Sequence, residues 1–333
     1  MIDERAATDS GESIHVVHHE RNPGCAFDLG WVEGARVNRS AVERRTETLT
    51  KRRTVKREWQ AAWLLRAVQC MDLTTLSGDD TPGNVRRLCA KARSPVRDDL
   101  LAPLGVPRGA LHVAAVCVYH AYVAEAVSAL HGSGVPVAAV STGFPAGLVP
   151  FDVKLREIEE SVAAGAAEID IVISRRLVLT GDWRGLHDEV RAFRRACGDA
   201  HMKTILATGE LGTLTNVLRA SLVCMMAGAD FIKTSTGKEP VNATLPVSLV
   251  MVRAIREYGE RTGAVVGFKP AGGIRTAKQA LDWLILMKEE LGGPWLTPER
   301  FRFGASSLLG DIERQLEHHV TGAYSAGFRH PMA

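Results

Sequence analysis

The chain is poor in paired cysteines. Six occur, at Cys25, Cys70, Cys89, Cys117, Cys197 and Cys224, and none stands in a Cys-x-x-Cys pair. That scatter argues against both a zinc ribbon and a disulfide framework. It suits a reducing, cytoplasmic setting. Long apolar runs are missing too; nothing approaches the roughly 20 residues of a membrane helix. Met1 to Gly11 is polar and acidic, unlike a secretion signal. Nor is there an excess of one charge: 41 Lys and Arg against 38 Asp and Glu leave a net +3, too little to point to nucleic acid. No Gly-x-Gly-x-x-Gly follows the first strand-like run, which weakens a dinucleotide-binding fold. There remain 333 residues of ordinary globular composition, 46% hydrophobic and 24% charged, enough for one large α/β domain or two small ones.

Residues 1–38 are polar and broken by Gly11, Asn22-Pro23-Gly24 and Gly30, which predicts an irregular, flexible segment. His15, His18 and His19 are read as part of that tail rather than as a metal site. Ser40-Ala41-Val42-Glu43 has the capping-box pattern. It predicts a helix over 39–68 packed on the main body of the protein. Much of the basic excess lies between Arg44 and Arg57 and reads as a solvated helix face, since no aromatic residue interleaves it.

Beyond this helix, strand-like and helical patterns alternate. Eight strands are expected: Gln69 to Leu73, His112 to Tyr119, Val135 to Ser141, Glu168 to Ile173, Met202 to Ala207, Asp230 to Thr234, Val265 to Lys269 and Phe301 to Gly304. Between them run helical stripes such as Leu186, Val190 and Phe193, or Ala280, Trp283 and Met287. Strand–helix alternation with right-handed crossovers gives a parallel sheet. Eight repeats over about 250 residues predict a closed (β/α)8 TIM barrel with an N-terminal helical extension. The barrel is placed at 69–322 and a tail at 323–333.

In such a barrel the chemistry sits where strands end. Two lysines stand there: Lys233 in Phe231-Ile232-Lys233-Thr234-Ser235-Thr236-Gly237-Lys238, and Lys269 in Gly267-Phe268-Lys269-Pro270-Ala271-Gly272-Gly273. Two ammonium groups facing one pocket repel, and one can lose its proton near neutral pH. A neutral lysine amine adds to carbonyls and forms Schiff bases. On this reasoning alone either lysine can be the nucleophile. Asp170 shares a strand face with Glu168 and Val172. An inward carboxylate is costly unless paired, so Asp170 is either a proton shuttle or a structural partner of the lysines.

Two segments offer backbone N–H groups to a phosphate: the turn at Gly272 and Gly273, and the passage Gly304-Ala305-Ser306-Ser307 into a helix. They follow strands seven and eight, where many such barrels hold phosphate. Asp72 ends the first strand as a helix cap or a site residue. Cys117 is either inert core or pocket lining. Lys203 and Lys238 either steer an anionic substrate or are solvated surface charge.

These motifs, with Glu168-Ile169-Asp170 and Phe303-Gly304-Ala305-Ser306-Ser307-Leu308-Leu309, resemble deoxyribose-phosphate aldolases. Arg52 to Trp63 and Leu206 to Leu214 resemble the animal branch in particular. The resemblance runs from about Arg53 to Gly322. It implies a class I aldolase that works without metal or cofactor on a small phosphosugar, with no nucleic-acid or membrane partner. The oligomeric state is left open, with a homo-oligomer among the options. By resemblance Lys233 is the Schiff-base lysine, Lys269 tunes its pKa, and Asp170 relays protons. Gly272, Gly273, Gly304, Ser306 and Ser307 match phosphate-contacting positions; Asp72, Thr236 and Lys238 match residues of the sugar pocket or its charge network. Some members end in a tyrosine that assists proton transfer. This chain ends His330-Pro331-Met332-Ala333, which makes Tyr324 the candidate substitute. The other readings are a related Schiff-base lyase or transaldolase on the same barrel, and a non-catalytic phosphosugar-binding protein.

Overall fold

A computed structural model of the chain describes residues 21–331. The three histidines His15, His18 and His19 lie outside the described residues. Eight parallel strands carry the fold: β1 (Met71–Thr74), β2 (Ala115–Tyr119), β3 (Val137–Ser141), β4 (Glu168–Val172), β5 (His201–Ile205), β6 (Phe231–Lys233), β7 (Gly267–Lys269) and β8 (Phe303–Ala305). All eight expected strands are present. Each of β1 to β6 pairs with the next in sequence, and β1 also pairs with β8. Between β7 and β8 the barrel closes through parallel bridges at Phe268–Phe301 and Ala271–Gly304. The expected (β/α)8 TIM barrel is borne out.

Helices in chain order are α1 (Leu29–Gly34), α2 (Arg39–Arg52), α3 (Arg57–Gln69), α4 (Pro82–Arg93), α5 (Asp98–Leu101), α6 (Val123–Leu130), α7 (Phe151–Ala163), α8 (Arg175–Leu179), α9 (Trp183–Ala196), α10 (Leu214–Met226), α11 (Leu245–Thr262), α12 (Ala277–Leu291) and α13 (Leu308–Thr321). Their apolar stripes face the strands, and Leu186, Val190, Phe193, Ala280 and Met287 are fully buried. No helix among the described residues is long and apolar enough to cross a membrane.

Side-chain alternation along the strands separates two environments. Leu73, Val116, Val118, Ile169, Ile171, Met202, Ile232 and Phe268 join the main apolar core between strands and helices. The alternating residues form the barrel interior. On the β2–β3 side it is apolar, with Cys117, Ala138 and Val140 packed together. On the β4–β8 side, continuing to β1, it is ionic.

Two expectations about the N-terminal segment need correction. Residues 21–38 are not wholly irregular. Asn22 is buried and its side-chain amide donates to the carbonyls of Met225 and Ala229 at 2.8 and 2.9 Å. Helix α1 buries Trp31, whose Nε1 donates to Glu257 at 2.6 Å. The single helix expected over 39–68 is two helices, broken between Arg52 and Arg57. Its cap is Asn38, which accepts from Ala41 N–H, and not the pattern at Ser40. The tail after Gly322 folds back, with His330 buried and bonded to Glu317 at 2.5 Å.

Candidate active site

Strand register builds the site. Lys233 and Lys269 are direct neighbours on β6 and β7, Asp170 and Lys203 on β4 and β5, and Asp72 and Gly304 on β1 and β8. The inward side chains meet in one cluster. Asp170 Oδ2 accepts from Lys233 Nζ at 2.7 Å and from Lys269 Nζ at 2.8 Å. Its other oxygen accepts from Lys203 Nζ at 3.0 Å. Lys269 also donates to Asp72, and Lys203 to Glu168. Arg302 closes the floor, donating to Asp72 at 2.6 Å and to Glu168 at 2.8 Å. Its guanidinium lies 5.7 Å from the centre of the Phe231 ring.

Four cationic side chains thus meet three carboxylates inside the barrel, all of them nearly or fully out of water. An unmatched charge in a low-dielectric interior costs several kcal/mol, so one lysine is driven to give up its proton. Lys233 bonds only one carboxylate, whereas Lys269 and Arg302 each bond two. Burial pushes Lys233 down; Asp170 draws it up and Lys269 pushes it down again, and the net is below an ordinary lysine. Burial also opposes the charge on Lys269, but Asp170 and Asp72 together outweigh it and hold the group protonated. Burial alone would raise Asp170, yet Lys203, Lys233 and Lys269 overcome that and hold it well below the usual carboxylate range. The expected depression of Lys233 is therefore present, with burial a larger cause than its lysine neighbour.

Above the cluster opens a cavity of about 460 Å³ with Lys233 at its base. Its walls include Thr236 and Lys238 after β6, Gly272, Gly273 and Arg275 after β7, and Gly304, Ser306 and Ser307 at β8. Thr74, Thr75, Asp80 and Asn84 form the facing wall. Gly272 and Gly273 have φ of 80° and 85°, a left-handed pair that glycine adopts without a Cβ penalty. At Gly304 a Cβ would stand 2.7 Å from Ala271 Cβ and 3.3 Å from Lys269 Cε, so a bare backbone is needed there. Thr236 Oγ1 donates to Glu239 at 2.8 Å and accepts the Lys238 N–H at 3.0 Å, which fixes the loop carrying Lys238.

Other expected positions lie elsewhere. Lys203 is neither solvated nor at the mouth; it is fully buried among Glu168, Asp170 and Asp72. Asp72 caps no helix, because it sits inside the barrel under Lys269. Cys117 does not line the cavity; it packs on Ala138 and Val140, and burial raises its thiol. Tyr324 is exposed and stacks on His318, beyond the far end of α13. Sequence reading missed Arg302. Its signal is Phe301-Arg302-Phe303, where period two puts a lone cation on the inner face with Gly304.

A family model described as DeoC/LacD family aldolase matches residues 66–311. The chain belongs to that family. Among curated relatives, the human deoxyribose-phosphate aldolase is 60% identical over 314 residues, 94% of this chain and 99% of the relative. The mouse deoxyribose-phosphate aldolase is 62% identical over 312 residues, 93% and 98% of the two chains. A crystal structure of a putative deoxyribose-phosphate aldolase from Coccidioides immitis has 25% identity and a TM-score of 0.61, covering 82% of this chain and 97% of its own. The resemblance drawn from the motifs is borne out at the level of the family.

Proposed function

We propose that this DeoC/LacD-family aldolase reversibly cleaves 2-deoxy-D-ribose 5-phosphate to D-glyceraldehyde 3-phosphate and acetaldehyde through a Schiff base on Lys233. The carrying observation is the shared carboxylate: Asp170 holds one lysine tuned toward the free amine beside another kept protonated. The curated relatives with this name span nearly the whole chain.

Lys233 Nζ, uncharged, adds to C1 of the open-chain aldehyde, and loss of water leaves an iminium. The C3 hydroxyl gives its proton, through water, to the Asp170–Lys269 pair. The C2–C3 bond breaks and its electrons enter the iminium, giving an enamine and free glyceraldehyde 3-phosphate. Protonation at C2 by the same pair and hydrolysis release acetaldehyde and restore Lys233. Asp170 is a weak base because three cations surround it. It therefore serves as one member of a relay whose proton content Lys269 balances. The phosphate lies against the amides of Gly272 and Gly273, the Ser306–Ser307 entry to α13, and the cations Lys238 and Arg275. Holding the far end of the sugar presents C1 to Lys233 and lowers the entropic part of the barrier.

The six cysteines are all free, five of them buried, which supports a reducing cytoplasm as the working compartment. The reaction fits deoxyribonucleoside breakdown. Borohydride trapping with 2-deoxyribose 5-phosphate, followed by peptide mass mapping, tests the assignment. A reduced adduct on the peptide holding Lys233 is expected. An adduct on Lys269 would reverse the lysine roles, and a folded protein with neither adduct nor cleavage would overturn the reading.

A further inference from the structure

The basic run from Arg44 to Arg57 takes no part in the site described above. The fold turns it into a second cavity, of about 610 Å³, between α2, α3 and the last turn of α12. Arg45, Arg52, Arg53, Lys288 and Glu289 line it, and the aromatic residue lacking within the run is supplied by Trp63 from α3. Glu289 is shared by Arg45 at 2.8 Å, Arg53 at 2.8 Å and Arg52 at 3.7 Å. Behind it Glu290 is shared by Arg45, Arg253 and Arg256 at 3.3, 3.2 and 3.4 Å. Four cations, Arg45, Arg52, Arg53 and Lys288, therefore line the cavity against the one carboxylate of Glu289, a surplus of three positive charges. Lys288 Nζ lies over the face of the half-buried Trp63 ring, 5.3 Å from its centre. Along α12 the lining residues Ile285, Lys288 and Glu289 lie roughly 12–18 Å from Ala277, at the end nearer the loop of Gly272 and Gly273, at 1.5 Å per residue.

We propose that this cavity is a binding site for a nucleoside polyphosphate, remote from the catalytic mouth. The base takes the face of Trp63 in place of Lys288, and the phosphates take Arg45, Arg52 and Arg53. Three considerations select this ligand. The surplus charge matches a triphosphate, and guanidinium forks suit phosphate oxygens. The volume falls within the range of small-molecule sites. One aromatic wall seats one base, whereas a nucleic-acid strand calls for a groove with successive stacking platforms.

Calorimetric titration of the full chain at low salt tests this, with ATP, inorganic tripolyphosphate and adenosine as probes. ATP is expected to bind most tightly and to weaken as salt is raised. The double variant Arg52→Ala, Arg53→Ala, at exposed positions, is expected to lose about tenfold or more in ATP affinity with unchanged cleavage activity. Trp63→Leu is expected to weaken ATP but not tripolyphosphate. Glu289→Gln removes a competing carboxylate and is expected to strengthen ATP binding, a gain that misfolding does not imitate. Tripolyphosphate binding as tightly as ATP, or ATP affinity unchanged in the double-arginine variant, would overturn the proposal.

Discussion

Lys233 and Lys269 stand side by side in register and share one oxygen, Asp170 Oδ2, at 2.7 and 2.8 Å. Their proton affinities nevertheless move in opposite directions. The difference lies one carboxylate further on, because Asp72 bonds Lys269 and not Lys233. Adduct formation needs the free amine, so its rate rises with pH through the depressed pKa of Lys233. Replacing Lys269 by Met removes a cation and leaves Asp170, so Lys233 should hold its proton to higher pH. The expected result is an alkaline displacement of the pH profile for borohydride trapping; an unmoved profile would contradict it. Lys233→Met should abolish both trapping and cleavage in a folded protein.

Arg302 is a positioning residue for the same pair. It touches neither lysine but matches Asp72 and Glu168 from below. Arg302→Met leaves both carboxylates undercompensated, and breaking a buried pair in this way costs about 3–5 kcal/mol. Urea denaturation should show that loss. The extra negative charge should also raise Lys233 and displace the trapping profile to higher pH, with Arg302→Lys restoring much of it. A stability loss without any change in the profile would reduce Arg302 to a packing role.

Acid should unfold the protein through these groups. Asp72, Glu168 and Asp170 all have folded pKa values below their unfolded ones, the cations overcoming burial in each case. A carboxylate lowered by folding contributes its stability in full above the ordinary carboxylate range, begins to lose it as pH falls through that range, and goes on losing it until pH has fallen through the lowered folded pKa. The urea midpoint is therefore expected to start falling near about pH 5 and to keep falling below about pH 3. A midpoint insensitive to pH there would mean that the cluster adds little to stability.

Much of this site is legible in the sequence because it breaks a pattern. A lysine or aspartate in an apolar strand stands out, and period two fixes which neighbours share its face. Lys203 stands out less, in His201-Met202-Lys203 at the start of a strand, and its burial follows only from the register that sets it beside Asp170. The order within residues 21–38 is hidden for a related reason. Three anchors, Asn22, Trp31 and Val32, tie down a polar stretch, and composition averages them away. Arg302 sits between two phenylalanines, and its partners Asp72 and Glu168 are 230 and 134 residues distant in sequence.

Ser307 offers a separation of binding from chemistry. It is exposed in the cavity wall at the N-terminal boundary of α13, makes no side-chain capping bond, and sits where backbone amides favour an anion. A glutamate there places negative charge where the phosphate is expected. Ser307→Glu should raise KM for 2-deoxyribose 5-phosphate far more than it alters turnover of unphosphorylated deoxyribose. Equal effects on the two substrates would remove Ser307 from the phosphate site.

Helix α13 begins at the mouth beside Ser307 and runs fourteen residues away from it. At 1.5 Å per residue its end lies about 20 Å from the cavity. Tyr324 follows that end, exposed and stacked on His318 at 4.4 Å between ring centres. The chain after it is anchored at the same helix, since His330 bonds Glu317 and Arg329 pairs with Glu317 at 2.8 Å. A group that transfers a proton in the rate-limiting step contributes about 10²–10⁴-fold. Held where it is, Tyr324 cannot supply that, and Tyr324→Phe is expected to leave kcat/KM within about twofold of the parent, well short of the acid–base range. Steady-state kinetics decide the matter. A loss as large as that range would require the tail to leave Glu317 and reach the mouth during turnover, and Glu317→Gln, which loosens the anchor, should then raise the rate.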